Sequence, residues 1–93
     1  MIARIEGIIV HIANKFLIVD VSGVGYKLYA TTESLTANKL GDHVSFWVHT
    51  AVRENSIDLY GFKSINEMSF FELLLDVSGI GPRSALGILA IAP

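Results

Sequence analysis

Alternation of apolar and polar positions dominates the chain from Met1 to about Phe62 and predicts strands. Ile2, Ile5, Ile8, Ile9, Val10 and Ile12 form a long β-branched run, and Gly7 within it is the kind of residue that lets a strand coil sharply. Asn14-Lys15 marks a turn. Phe16 to Val21 reads as a second strand, Ser22-Gly23-Val24-Gly25 as a connection, and Tyr26 to Ala30 as a third strand with clear alternation. The mostly polar stretch 31–42 reads as a loop holding at most a helical turn, with Thr32 and Ser34 as candidate caps. His43 to Arg53 resumes strand character around Phe46, Trp47 and Val48. Glu54-Asn55-Ser56 is turn-like, and Ile57 to Phe62 completes a hairpin.

At Ser64 the period changes from 2 to 3.6. Ser64-Ile65-Asn66-Glu67 is a capping box, in which the serine oxygen accepts from the Glu67 amide and the glutamate reaches back to the Ser64 amide. In the helix that follows, Met68, Phe71, Leu74 and Leu75 line one face, Phe70 and Leu73 widen it, and Asp76 ends the run. After Val77-Ser78-Gly79-Ile80-Gly81, Pro82 suits the first turn of a second helix because its missing amide would be unpaired there anyway. That helix continues over Ser84 to Ile91 and stops at Pro93. The prediction is a mainly β fold with a C-terminal helical part: residues 1–63 as a closed, five-stranded OB-fold barrel, and residues 64–93 as two helices joined by a glycine-containing turn. A sandwich fragment is the alternative.

With 93 residues, 52% hydrophobic and only 17% charged, the chain is not disordered, yet a single core of this size leaves little stability to spare. Self-association would help it. The absence of cysteine excludes disulfides and thiolate zinc sites. No apolar stretch approaches the ~18 residues of a spanning helix, the start lacks a signal-peptide layout, and a cytoplasmic location is expected. Seven basic against nine acidic residues give a net charge of −2, so any nucleic-acid binding must be local rather than driven by the overall field.

Two Ser-Gly-apolar-Gly segments occur. The first, at Ser22, precedes a strand and reads as a connection. The second, at Ser78, lies between two helical patterns, where Gly79 and Gly81 permit a tight reversal and leave the first amides of the next helix pointing outward. Arg83 and Ser84 stand at the rim of that cup. An ordinary helix-helix turn is the bland alternative. The extended pattern, apolar-x-Gly-apolar-Gly-Pro-Arg-x-Ala after a helix, matches a helix-hairpin-helix, a motif that grips nucleic-acid backbone without reading sequence. Val77 and Ile80 are expected in the hairpin core, Ala85 allows close helix packing, and a bulkier residue at Gly79 or Gly81 is expected to damage both turn and site. The tip Val52 to Ile57, taken alone, is a solvated turn. His11, His43 and His49 are too dispersed for a metal site. Trp47, Phe46, Tyr26, Tyr29 and Tyr60 could stack on bases, although packing is the commoner role. No Gly-x4-Gly-Lys-Ser/Thr loop occurs, and no cofactor is expected.

Met1-Ile2-Ala3-Arg4-Ile5-Glu6-Gly7, Val21-Ser22-Gly23-Val24-Gly25-Tyr26, Val52-Arg53-Glu54, Leu59-Tyr60-Gly61-Phe62 and Gly79-Ile80-Gly81-Pro82-Arg83-Ser84-Ala85-Leu86 follow in one order along almost the whole chain. On these blocks it resembles the RuvA family of bacterial Holliday-junction recognition subunits. That resemblance implies a non-catalytic, structure-specific and sequence-independent binder of four-way junction DNA in recombination, repair and the SOS response. It also implies assembly as a homotetramer, with the RuvB motor hydrolysing ATP and the RuvC endonuclease as a further partner. Gly79, Ile80, Gly81, Arg83 and Ser84 would form the first DNA-binding hairpin. Glu54 and Asn55 would stand at the acidic pin, where the family commonly has two carboxylates. Asp58 would add charge if it faces the tip. The second hairpin motif and the motor-docking domain would lie outside this sequence. A generic single-strand-binding barrel and a pure oligomerisation module are the rival readings.

Overall fold

The computed structural model describes residues 1–91. Strands β1 (Arg4–Ile12), β2 (Phe16–Val21), β3 (Val24–Tyr29), β4 (His43–Val52) and β5 (Ile57–Phe62) close into a barrel in the order β1-β2-β3-β5-β4. Helix α1 (Thr32–Ala37) lies between β3 and β4, and α2 (Ile65–Leu75) and α3 (Pro82–Ile91) follow β5. The expected stop at Pro93 lies outside the described residues.

Closure depends on β1, which pairs with β4 through Arg4 to Ile8 and with β2 through Ile8 to Ile12. One strand serves two neighbours only if it coils, and Gly7 is where it does. A Cβ there would stand 2.3 Å from the Asp20 carbonyl oxygen, so glycine is required by the approach of β2. The alternating inward positions Ile5, Ile9, Leu17, Val19, Leu28, Phe46, Val48 and Leu59 fill the barrel.

Two local expectations are corrected. The β2–β3 connection is only Ser22 and Gly23, whose φ values of 52° and 92° give the left-handed pair a two-residue hairpin turn needs; Val24 and Gly25 already belong to β3. The segment after β3 holds a six-residue helix rather than at most one turn, and its cap is Thr31, whose Oγ1 accepts from the Ser34 amide at 3.2 Å. Leu35 is its one large apolar side chain in the core, too few for a helical period to show in the sequence.

The second core cluster joins the helices to the barrel. Ser64 Oγ accepts from the Glu67 amide at 3.1 Å as expected, but Glu67 Oε1 accepts from the Lys63 amide at 3.3 Å, one residue before the anticipated donor. Phe71 is 0% exposed. Its ring centroid lies 4.7 Å from that of Phe62 and 5.4 Å from those of Tyr60 and His49. Met68, Leu74 and Leu75 pack around it, whereas Phe70 and Leu73 are exposed, so the buried stripe of α2 is narrower than the sequence implies. His49 Nδ1 and Glu72 Oε2, 2.8 Å apart, add a polar tie between β4 and α2. Ala85, also fully buried, joins α3 to this cluster. Among the described residues no helix is long and apolar enough to cross a membrane.

Truncating Phe71 removes the largest contact between α2 and the barrel. Phe71→Ala should cost about 3–5 kcal/mol, the range for a fully buried phenylalanine. Urea denaturation beside the parent measures it, and a loss below about 1 kcal/mol would show that the helices are held by something else.

Candidate nucleic-acid interface

The turn between α2 and α3 is closed by two backbone hydrogen bonds, Val77 N to Leu74 O and Ile80 N to Val77 O, both 3.1 Å. Gly79 has φ +87°, a conformation that an L side chain adopts only under strain. Ile80 turns inward onto the Phe71 cluster as expected, but Val77 is 51% exposed and is not hairpin core. Ala85 is the first α3 residue whose amide finds a carbonyl, that of Gly81 at 2.9 Å. By helix geometry the amides of Arg83 and Ser84 have no intrahelical acceptor and point outward at the positive end of the helix dipole.

The two glycines of the turn are there for different reasons. A Cβ on Gly81 would meet no protein atom within 4 Å, and its φ is not positive. The fold therefore does not require glycine at 81, which corrects the expectation that a larger residue there damages the turn. What glycine supplies at that position is an unobstructed approach to the amides beside it.

Arg83 does not simply rim the hairpin. Its guanidinium lies over the Tyr29 ring of β3, 4.5 Å from the centroid. The neighbouring Tyr60 hydroxyl chiefly holds its pKa above the ordinary arginine value against an opposing desolvation, with smaller contributions from Tyr29 and Asp58. Lys27 Nζ sits 4.4 Å from the Phe16 ring and 5.2 Å from that of Tyr29. Such contacts are worth about 0.5–1 kcal/mol each at exposed sites and hold the cations over the rings. Together with Lys15 these side chains line an open concavity of about 480 Å³ between the β1–β2 turn, β3 and α3. Among the described residues, Arg4 pairs with Glu6 and Lys63 with Glu33, while Lys15, Lys27 and Arg83 make no ion pair. A comparable hollow of about 550 Å³ beside α2 contains Lys63 together with Glu33 and Glu67, a poor setting for an anion.

Lys15, Lys27, Phe16 and Tyr29 were not marked together as a site by sequence reasoning. A signal was available: a two-residue turn at Ser22-Gly23 fixes the register that puts Phe16 opposite Tyr29, and Lys27 shares the outer face of β3 with Tyr29. Of the other aromatics, Phe46 and Tyr60 are buried in the core, Tyr26 packs against it, and Trp47 is half-buried beneath the Arg4 guanidinium. The histidines are dispersed, and no group of three or more metal-ligating side chains occurs among the described residues.

At the far end of the β4–β5 hairpin, Val52 pairs with Ile57 and the loop Arg53 to Ser56 is closed by the Arg53 amide donating to the Ser56 carbonyl at 2.8 Å. Glu54 and Asn55 are exposed at its tip. Asp58 sits opposite Ala51 within electrostatic reach of Arg83, so its charge acts toward α3.

A sequence model described as the RuvA N terminal domain matches residues 1–61. The chain belongs to the RuvA N-terminal domain family. Among its relatives, the Holliday junction branch migration complex subunit RuvA of Rickettsia bellii is 43% identical over 90 residues, covering 97% of this chain and 44% of the relative. The RuvA subunit of Lactobacillus helveticus is 46% identical over 85 residues, 91% of this chain and 42% of the relative. That of Alkaliphilus oremlandii is 40% identical over 90 residues, 97% and 46%. The chain thus spans less than half the length of each RuvA relative, and the similarity continues past the barrel into the α2–α3 hairpin.

The glycine assignment is testable through folding alone. Gly79→Ala should destabilise by about 1–2 kcal/mol because of its left-handed backbone. Gly81→Ala should stay within about 1 kcal/mol of the parent, since reduced unfolded-chain entropy offsets the weaker cap. Parallel urea melts decide between them, and equal losses at both positions would contradict the separation.

Proposed function

We propose that this chain is the junction-gripping part of a branch-migration complex, a non-catalytic binder of four-way DNA by backbone contacts. The observation that carries the reading is the open hairpin: outward amides at Arg83 and Ser84, beside a Gly81 whose glycine the fold itself does not need. The family, whose RuvA relatives are named as Holliday junction branch migration subunits, supplies the substrate class. Gly79, Ile80, Gly81, Arg83 and Ser84 form the backbone-binding turn on this reading. Residues 1–63 are the barrel domain, and α2–α3 opens a second domain. RuvB and RuvC are the partners that the family supplies for branch migration and resolution, in the cytoplasm.

Self-association belongs to the same reading. Ile65, Phe70, Leu73 and Ile91 are large apolar side chains left exposed on α2 and α3, a surface that further copies of the chain would cover in a homotetramer. Sedimentation at several concentrations reads it directly, and a monomer at the highest would remove this part.

The first test is a mobility-shift comparison of four-way, duplex and single-stranded DNA at two salt concentrations. A preference for the junction supports the proposal, while a preference for single strands favours a generic OB-fold binder. Arg83→Ala should weaken binding to all sequences and lower the slope of log affinity against log salt by about 0.9, the value for one phosphate contact. Gly81→Ala should weaken binding with its stability preserved. An unchanged salt slope in Arg83→Ala would leave that residue as a strap on Tyr29 alone.

The tip is predicted to act by repulsion. A carboxylate near converging phosphates costs ~1 kcal/mol per close pair in well-screened water, which is several-fold in affinity. Glu54→Gln should therefore tighten DNA binding and relax the preference for junction over duplex, and Asn55→Asp should sharpen that preference. Both positions are solvent-exposed, so stability should hardly change. Unchanged junction-to-duplex ratios in both variants would reduce the tip to a solvated turn.

A further inference from the structure

We infer that the concavity formed by Lys15, Lys27 and Arg83 on the Phe16–Tyr29 pair is a second phosphate-backbone subsite, which carries a DNA strand from the α2–α3 hairpin onto the barrel wall. The inference rests on the proposed DNA-binding reading and extends it from the helical hairpin to strands β2 and β3.

Three observations converge. First, the three cations share one hollow and make no ion pair among the described residues, although the chain as a whole is acidic. Asp58 offsets part of the Arg83 charge, and the balance remains positive. Second, two of the three cations, Lys27 and Arg83, are held by rings rather than by carboxylates. Lys27 and Arg83 both lie against Tyr29, at 5.2 and 4.5 Å from its centroid, so their separation cannot exceed the sum of those distances. A ring restrains a cation without neutralising it, which leaves its N–H donors for phosphate oxygens. Third, Arg83 belongs at once to this hollow and to the first turn of α3, beside the outward amides. A strand whose phosphate sits on those amides meets Arg83 next, and Lys27 and Lys15 after it.

The geometry also selects backbone over base. Tyr29 already carries two cations and stacks on Tyr60 with centroids 5.4 Å apart and 30° between planes. An inserted base would have to displace a cation from the ring, whereas a phosphate gains from every cation in place.

The test uses a labelled synthetic four-way junction and a duplex of one of its arms, titrated with the parent chain and variants over a range of salt. The double variant Lys15→Gln/Lys27→Gln should lower the log-log salt slope by about 1.8, with about eightfold weaker binding per lost contact at 0.1 M salt. Lys27→Arg should keep the parent slope, since it restores the charge on the same ring. Lys63→Gln, which neutralises a cation already paired with Glu33, should also leave the slope unchanged. If the double variant keeps the parent slope while Arg83→Ala loses its share, the subsite is overturned and the hairpin reading stands. A drop in Lys63→Gln as large as that of either lysine in the hollow would reduce the effect to overall charge and overturn it too. A parent that binds neither DNA overturns both readings together.

Discussion

The burial of Phe71 against the barrel wall is the constraint from which the rest of the arrangement follows. An isolated helical hairpin of this length would be marginal in water, because short helices gain most of their stability from packing an apolar face. Here α2 finds that face on β4 and β5, where Phe71 meets Phe62, Tyr60 and His49. The aromatic contacts continue from Phe71 through Tyr60 to Tyr29, and Arg83 lies on the last ring. The direction of α3, and with it the orientation of its exposed amides, is tied to the barrel through one run of rings. Ring packing is both apolar burial and geometrically selective, since aromatic pairs favour offset and edge-on arrangements over arbitrary ones.

That same run determines where positive charge is available. Guanidinium and ammonium groups on a small acidic protein ordinarily find carboxylates, as Arg4 and Lys63 do. Against Tyr29 and Phe16, Lys27 and Arg83 find rings, which restrain them and leave the charge intact. Local electropositivity on an acidic chain is therefore a product of packing, and composition would not reveal it.

What could be read from the sequence followed from periodicity. β2 and β5 have the bounds that alternation gives them, and Gly7 lies at the corner, one residue before β1 passes from β4 to β2 at Ile8. α1 was illegible because a helix anchored by Leu35 alone has no apolar period to display. The width of the α2 face was overread, since apolar residues at 70 and 73 satisfy a helical period whether or not anything covers them. The α2–α3 turn was legible as a motif, yet the separate reasons for Gly79 and Gly81 were not: one is a dihedral angle, the other an empty volume, and both appear only in three dimensions. The Lys15–Lys27–Arg83 grouping needed the exact register of two strands and the approach of a helix from 54 or more positions along the chain, which no local window contains.

On the proposed reading, the distribution of charge explains how an acidic chain could hold DNA and still discriminate among DNA shapes. A protein with a large positive net charge attracts any duplex from any side, and its affinity then says little about geometry. With a net charge of −2, attraction is local, and three cations concentrate it at the hollow and the adjacent helix terminus, while Glu54 stands beside Arg53 at the end of the β4–β5 hairpin and Asp58 lies within electrostatic reach of Arg83. Favourable and unfavourable contacts thus sit on different elements, the cations on the β1–β2 turn, β3 and α3 and the carboxylate at the end of the β4–β5 hairpin. A strand profits from the cations only on a path that also clears the tip. Shape selectivity then needs no base contact, because the acidic background suppresses the looser modes that a uniformly basic surface would permit.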